Sequence, residues 1–104
     1  MTGIGRGEVA GYLCHAYCHT GFCEFTHDVY VEKGGRYALR IAARTDERRK
    51  LCVDVNGRTV GSLSYDTNGQ QMVVAELRKG RNMVRLHNDH ERMPDVDYLL
   101  VETK

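Results

Sequence analysis

Apolar and polar residues alternate with period two through most of this 104-residue chain, in short runs separated by Gly, Asn and Asp. From Cys23 the odd positions Cys23, Phe25, Val29 and Val31 form one face, broken at His27, while Glu24, Thr26, Asp28 and Glu32 lie opposite. Successive side chains of a strand point to opposite faces, so this run predicts a half-buried strand. Lys33-Gly34-Gly35-Arg36 reads as a turn that uses glycine to reach positive φ. The next run sets Tyr37, Leu39, Ile41 and Ala43 against Ala38, Arg40, Ala42 and Arg44, and the two strands together predict a hairpin. Leu51, Val53 and Val55 share a face, and Asn56-Gly57, a strong hairpin signal, leads to a second hairpin through Val60 and Leu63. Asp66-Thr67-Asn68-Gly69 turns into an apolar run over 72–77, Lys79-Gly80 turns into a strand over 82–87, and a final strand covers 96–101.

About seven or eight short strands at this spacing, with no helical periodicity, predict an all-β antiparallel sandwich. There is no internal repeat, low-complexity tract or linker, so residues 1–104 read as a single domain, with 1–8 the least interpretable stretch. Composition adds exclusions. Fifteen basic and fourteen acidic residues leave a formal net charge of +1, which gives little long-range attraction to nucleic acid or anionic lipid. Arg48-Arg49-Lys50 is preceded by Asp46 and Glu47 and reads as a solvated turn. No run approaches the ~20 apolar residues that cross a bilayer as a helix, and the N-terminus carries no basic segment followed by an apolar run. The chain as given does not specify a compartment, and Met1 is compatible with a domain cut from a longer secreted protein.

The order of "V-Y-V-E-K-G-G-R-Y-A-L-R-I" (29–41), "V-D-V-N-G" (53–57), "L-R-K-G-R-N-M-V-R-L" (77–86) and "M-P-D-V-D-Y-L" (93–99), after Gly11-Tyr12-Leu13, resembles carbohydrate-binding modules of families 6 and 35. It is also similar to the β-sandwich appended to α-galactosidase-like glycoside hydrolases. The resemblance spans roughly 8–101 and implies a jelly-roll, galactose-binding-like sandwich that takes glycans in loops at one end and often holds a structural calcium ion. In the family an aspartate near the last strand joins acidic residues of a first strand to bind calcium, and Asp97 matches that aspartate. The first-strand acidic motif is missing here. The resemblance therefore implies a sandwich lacking its first strand, with one sheet edge either covered by 1–8 or completed by another chain as a homo-oligomer. Family members often carry Asn just before the final-strand valine or isoleucine, where this chain has Asp95. A carboxylate there can still accept two sugar hydroxyls.

Family glycan sites usually include an aromatic platform, because the apolar face of a pyranose packs on a ring. Trp is absent. Tyr17 and Tyr65, with Tyr12 behind them, are the candidate rings, each with core or loop packing as the competing reading. The candidate site is then Tyr17, Tyr65, Asn88, Asp89 and Asp95, a carboxylate-rich rim suited to neutral or galactose-type sugars, with calcium needed to bridge uronic acids. His87-Asn88-Asp89-His90-Glu91 crowds titratable groups, and its plainer reading is a solvated loop bordering the glycan end.

Cys14, Cys18 and Cys23, interleaved with His15 and His19, approach zinc-site spacings, but a matching fourth ligand is lacking, since Cys52 is distant and alone. Zinc is set behind the other readings. The four cysteines also permit two disulfides in three connectivities, Cys14 to Cys18 or Cys18 to Cys23 being nearest in sequence, or they stay reduced with Cys23 and Cys52 as small buried side chains. No catalytic group is assembled: Ser62 and Ser64 are the only serines, with no Gly-x-Ser-x-Gly elbow and no phosphate-cradling loop. The reading is a non-catalytic carbohydrate-binding module for polysaccharide or oligosaccharide, accessory to a glycoside hydrolase domain, outside the cell or in the periplasm. Two rivals stay open: a structural sandwich that binds no sugar, and a Cys/His metal-binding module.

Overall fold

The computed structural model describes residues 9–16, 23–88 and 93–103, with side chains described from residue 24 onward. Every regular element in them is a strand: β1 (Val9–Ala16), β2 (Cys23–Val31), β3 (Gly35–Arg44), β4 (Arg49–Val55), β5 (Arg58–Tyr65), β6 (Gly69–Leu77), β7 (Gly80–Asn88) and β8 (Asp95–Thr103). They form two four-stranded antiparallel sheets, ordered β1-β8-β3-β6 and β2-β7-β4-β5, which is the jelly-roll order.

Among the described residues, sequence neighbours pair only in β4–β5, where Asn56 (φ 52°) and Gly57 (φ 83°) make the predicted tight turn. The predicted β2–β3 hairpin is not formed. β2 pairs with β7 from Cys23↔Asn88 to Val31↔Gly80, while β3 lies in the other sheet between β6 and β8. The turns at 66–69 and 79–80 likewise carry the chain from one sheet to the other. The physical reason is that Val29 and Val31 of β2 and Leu39 and Ile41 of β3 are apolar rows that must all be buried. Facing them across the sandwich buries both, and a glycine turn serves that crossing as well as it serves a hairpin.

The core is the space between the sheets. Val29, Leu39, Ile41, Leu51, Val53, Leu86, Leu99 and Val101 are fully buried there, each contributing about 1.5–3 kcal/mol of transfer free energy. β8 breaks its alternation: Ala42 pairs with Tyr98 but Ala43 with Val96, which leaves Asp97 as an extra residue in a β-bulge. The bulge lets Val96 and Leu99 both face inward although they are three positions apart. β8 has neighbours on both sides, because β1 pairs with it from Val9↔Glu102 to Ala16↔Val96. The eight strands thus fill the jelly-roll order, with β1 as an edge strand where a missing first strand was expected to leave a gap.

The strand directions sort the connections into two ends. β1, β3, β5 and β7 finish, and β2, β4, β6 and β8 begin, at the same end. Loops 45–48 and 66–68 lie there, and Met93 closes the core beneath them with no exposed surface.

Candidate functional site

That end carries a cleft of about 460 Å³ lined by Arg44, Thr45, Asp46, Arg49, Asn68 and Asp95. Short-range hydrogen bonds shape its walls. The Thr45 hydroxyl donates to the Glu47 carbonyl at 2.5 Å and accepts from the Glu47 amide at 3.3 Å, the self-bonding that makes threonine a turn residue. The Thr45 amide donates to Asn68 Oδ1 at 2.9 Å, tying the β3–β4 loop to the β5–β6 loop. Arg48 Nε donates to Asp66 Oδ1 at 2.6 Å and Arg49 to Glu47 Oε1 at 2.5 Å. The Arg48–Asp66 pair faces solvent and adds little stability, ~0–1 kcal/mol, and the Arg49 side chain of the second pair is largely buried; both orient the loops.

At the floor, Arg44 ends β3 directly opposite Asp95, the first residue of β8, and Arg44 Nε donates to Asp97 Oδ1 at 3.1 Å. Two guanidinium groups, two carboxylates, an amide and a hydroxyl therefore converge on one cleft. Such mixed donors and acceptors can bond adjacent hydroxyls, which each donate and accept. Among the described residues the lining is balanced in charge, Arg44 and Arg49 standing against Asp46 and Asp95. The arginines, read in sequence as a strand end and a solvated turn, were overlooked there; the adjacent polar runs were the available signal.

The sequence-derived candidates separate here. Asp95 is in the cleft, half-buried. Tyr17 and Asp89 lie outside the described residues, and of Tyr12 only the backbone is described. Tyr65 is a correction: it is 1% exposed, and its hydroxyl donates to the Ile41 carbonyl at 2.6 Å, so its ring belongs to the core and is closed to a sugar. It continues the inward row of Leu63, which fixes its direction. Burial pushes its phenol pKa well up, against a lowering by the Gln71 backbone bond. Asn88 is also buried, its amide donating to the Lys50 carbonyl at 2.9 Å, and so joins β7 to β4 rather than facing a ligand.

The expected solvated loop 87–91 begins as strand. His87 is 6% exposed, and its Nε2 lies 2.9 Å from Asp54 Oδ2 on the outer side of β2-β7-β4-β5. Asp54 also accepts from the Thr59 hydroxyl at 2.8 Å and from Arg85 at 3.4 Å, and Arg85 bonds Glu24 at 2.5 Å. Burial pushes the Asp54 carboxyl up, but the Thr59 bond, His87 and Arg85 outweigh it and hold the pKa below its ordinary value. Cys52 is a free thiol directly across from His87, half-buried rather than fully so. The side chains of Cys14, His15 and Cys23, and all of Cys18 and His19, lie outside what is described, as do residues 89–92.

Calcium takes six to eight oxygen ligands. Asp97 is half-buried and accepts from Arg44 Nε, and among the described residues no group of three His, Cys, Asp or Glu is arranged to hold a metal ion.

No family model and no curated protein matches the chain by sequence. Solved structures do. A family 35 carbohydrate-binding module from Clostridium thermocellum matches over 97% of this chain and 97% of its own, with 25% identity and a TM-score of 0.69. The family 35 module of Paenibacillus barcinonensis matches over 94% of this chain and all of its own (16% identity, TM-score 0.72). A Podospora anserina β-(1,4)-mannanase that joins a family 26 glycoside hydrolase to a family 35 module matches over 95% of this chain and 28% of its own (14% identity, TM-score 0.75). The fold is that of family 35 carbohydrate-binding modules, as the sequence motifs implied.

Proposed function

We propose that this chain is a non-catalytic carbohydrate-binding module that holds a stretch of polysaccharide or oligosaccharide in the cleft at its loop end. The observation that carries the proposal is the convergence of Arg44, Asp46, Arg49, Asn68 and Asp95 in one open cleft, on a fold shared with family 35 modules. Asp95 accepts two sugar hydroxyls, Asn68 bonds a third, and the arginines donate to ring or hydroxyl oxygens. Tyr17 is the proposed stacking ring and Asp89 a further contact. The mannanase, in which such a module accompanies a hydrolase, supports an accessory role in which the module raises the local concentration of a catalytic domain on its substrate outside the cell.

The test is calorimetric titration of galactosides, mannosides and uronates, with and without calcium, against the wild type and Asp95→Ala. Binding in the micromolar to millimolar range is expected for so open a site. Loss of one or two charge-assisted hydrogen bonds, each ~1.5–3 kcal/mol, should weaken it about tenfold or more in Asp95→Ala. Equal binding by both proteins removes Asp95 from the site. A calcium-dependent gain that Asp97→Ala abolishes would carry the calcium reading. One observation favours the rival structural role: no aromatic residue lines the cleft among the described residues. Absence of heat with every sugar would establish that rival.

A further inference from the structure

The edge strand β6 lacks the features that normally keep strand edges apart. Natural edges are blunted by lysine, proline or a bulge. β5 is opposed by a bulge between Val53 and Asp54, β1 has a register shift against β8, and β2 carries Glu24 and Asp28. β6 has no lysine, proline or bulge. It pairs with β3 without interruption from Gly35↔Leu77 to Ala43↔Gly69, and Glu76 is its only charged residue. On its outer face Met72 and Val74 are 38% and 37% exposed, opposite Arg40 and Ala38 of β3, and Arg40, paired with Glu102, separates Met72 from the half-buried Leu100 of β8. Alongside the edge runs a groove of about 520 Å³ whose apolar lining includes Val55, Val60, Val74 and Ala75.

We propose that the occupant of this edge is a second copy of the chain, bound by antiparallel β6–β6 pairing about a two-fold axis at Val73. Val73 is the midpoint of Gly69–Leu77, so all nine residues of each strand overlap. In that register Met72 stands opposite the partner's Val74, twice over by symmetry, and Gln70 stands opposite the partner's Glu76, an amide against a carboxylate. No like charges meet. A slip of one residue would set outward side chains against inward ones, and a slip of two would shorten the overlap and break the Met72–Val74 match. The partner's Val73, on the inward side of its strand, lies over the Val55–Val60 groove. The result is one continuous eight-stranded sheet closed by an isologous contact. Because the strands are antiparallel, the two loop ends point in opposite directions. On the glycan reading above, which the dimer itself does not require, the assembly bridges two polysaccharide chains instead of gripping one chain twice.

Sedimentation equilibrium of the sugar-free protein, from micromolar to millimolar, tests the dimer. The wild type is expected to reach twice the 11.8 kDa chain mass. Met72→Lys/Val74→Lys puts lysine opposite lysine at both symmetric positions and should weaken association on the order of tenfold or more, with an unchanged β circular dichroism spectrum. Met72→Glu/Val74→Lys puts opposite charges face to face and should restore the dimer, whereas Tyr30→Lys, on the other sheet's outer face, should leave it intact. Should the double-lysine variant fail to fold, the Glu/Lys pair still decides: as a folded monomer it overturns the register. A wild type that stays monomeric at millimolar concentration, or a folded double-lysine variant that dimerises like wild type, overturns the proposal.

Discussion

Tyr65 and Asp54 show how a single side chain takes its role from neighbours distant in sequence. Tyr65 follows Leu63 on the inward face of its strand, and that alternation was visible in the sequence; only the Ile41 carbonyl at the end of its ring was not. Tyr65→Phe should cost about 1 kcal/mol in urea unfolding, since it leaves a buried carbonyl without its donor, and should not change sugar titration. A drop in sugar affinity with unchanged stability would return Tyr65 to the site. Asp54 depends on His87 and Arg85 of another strand, which no local pattern connects to it. A carboxylate whose pKa is lower in the folded than in the unfolded state stabilises the fold above the unfolded value and loses that contribution as pH falls through the folded one. The ordinary value is 3.8, so the contribution of Asp54 should be intact near neutrality and fade below about pH 4. Melting midpoints measured between about pH 2 and pH 7 should therefore fall less steeply on the acid side in Asp54→Asn than in wild type.

At the scale of elements, strands were legible and their partners were not. Alternation fixes which side chains share a face, and turn residues mark where a strand stops, but Gly34-Gly35 and Lys79-Gly80 say nothing about whether the next strand folds back beside the last or crosses above it. The β6–β7 crossing is held by Asn82, which read only as a strand residue. It is fully buried; its amide donates to the carbonyls of Arg78 at 2.9 Å and Gly80 at 3.2 Å, and its Oδ1 accepts from the Arg78 amide and from Asn56 Nδ2, both at 3.0 Å. Asn56 in turn exchanges two bonds with the Met83 backbone, so one asparagine pair locks the β4–β5 turn to the start of β7. Asn82→Ala should cost about 2–3 kcal/mol, since several buried backbone groups lose their partner at once. Asn82→Asp should be nearly as damaging, because a carboxylate cannot donate to those carbonyls; chemical denaturation of both variants checks this.

At the scale of the whole molecule, one of the six ladders among the described residues joins sequence neighbours, and the other five close long loops before they gain anything. Refolding followed by stopped-flow fluorescence should accordingly run in roughly milliseconds to seconds, the range of sandwiches dominated by distant pairings. A refolding reaction complete in microseconds would contradict this topology. The sequence by itself determined the fold class, the strands from Cys23 onward, the Asn56-Gly57 hairpin and the membership of Asp95 in the loop end, because period-two burial, turn chemistry and motif order are local properties. Only the tertiary structure decided that β2 and β3 part into different sheets, that Tyr65 and Asn88 serve the scaffold, and that Arg44, Arg49 and Asn68 complete the cleft. Those outcomes depend on which apolar rows meet across the sandwich and which loops are thereby brought to the same end, and that pairing is a property of the packed chain as a whole.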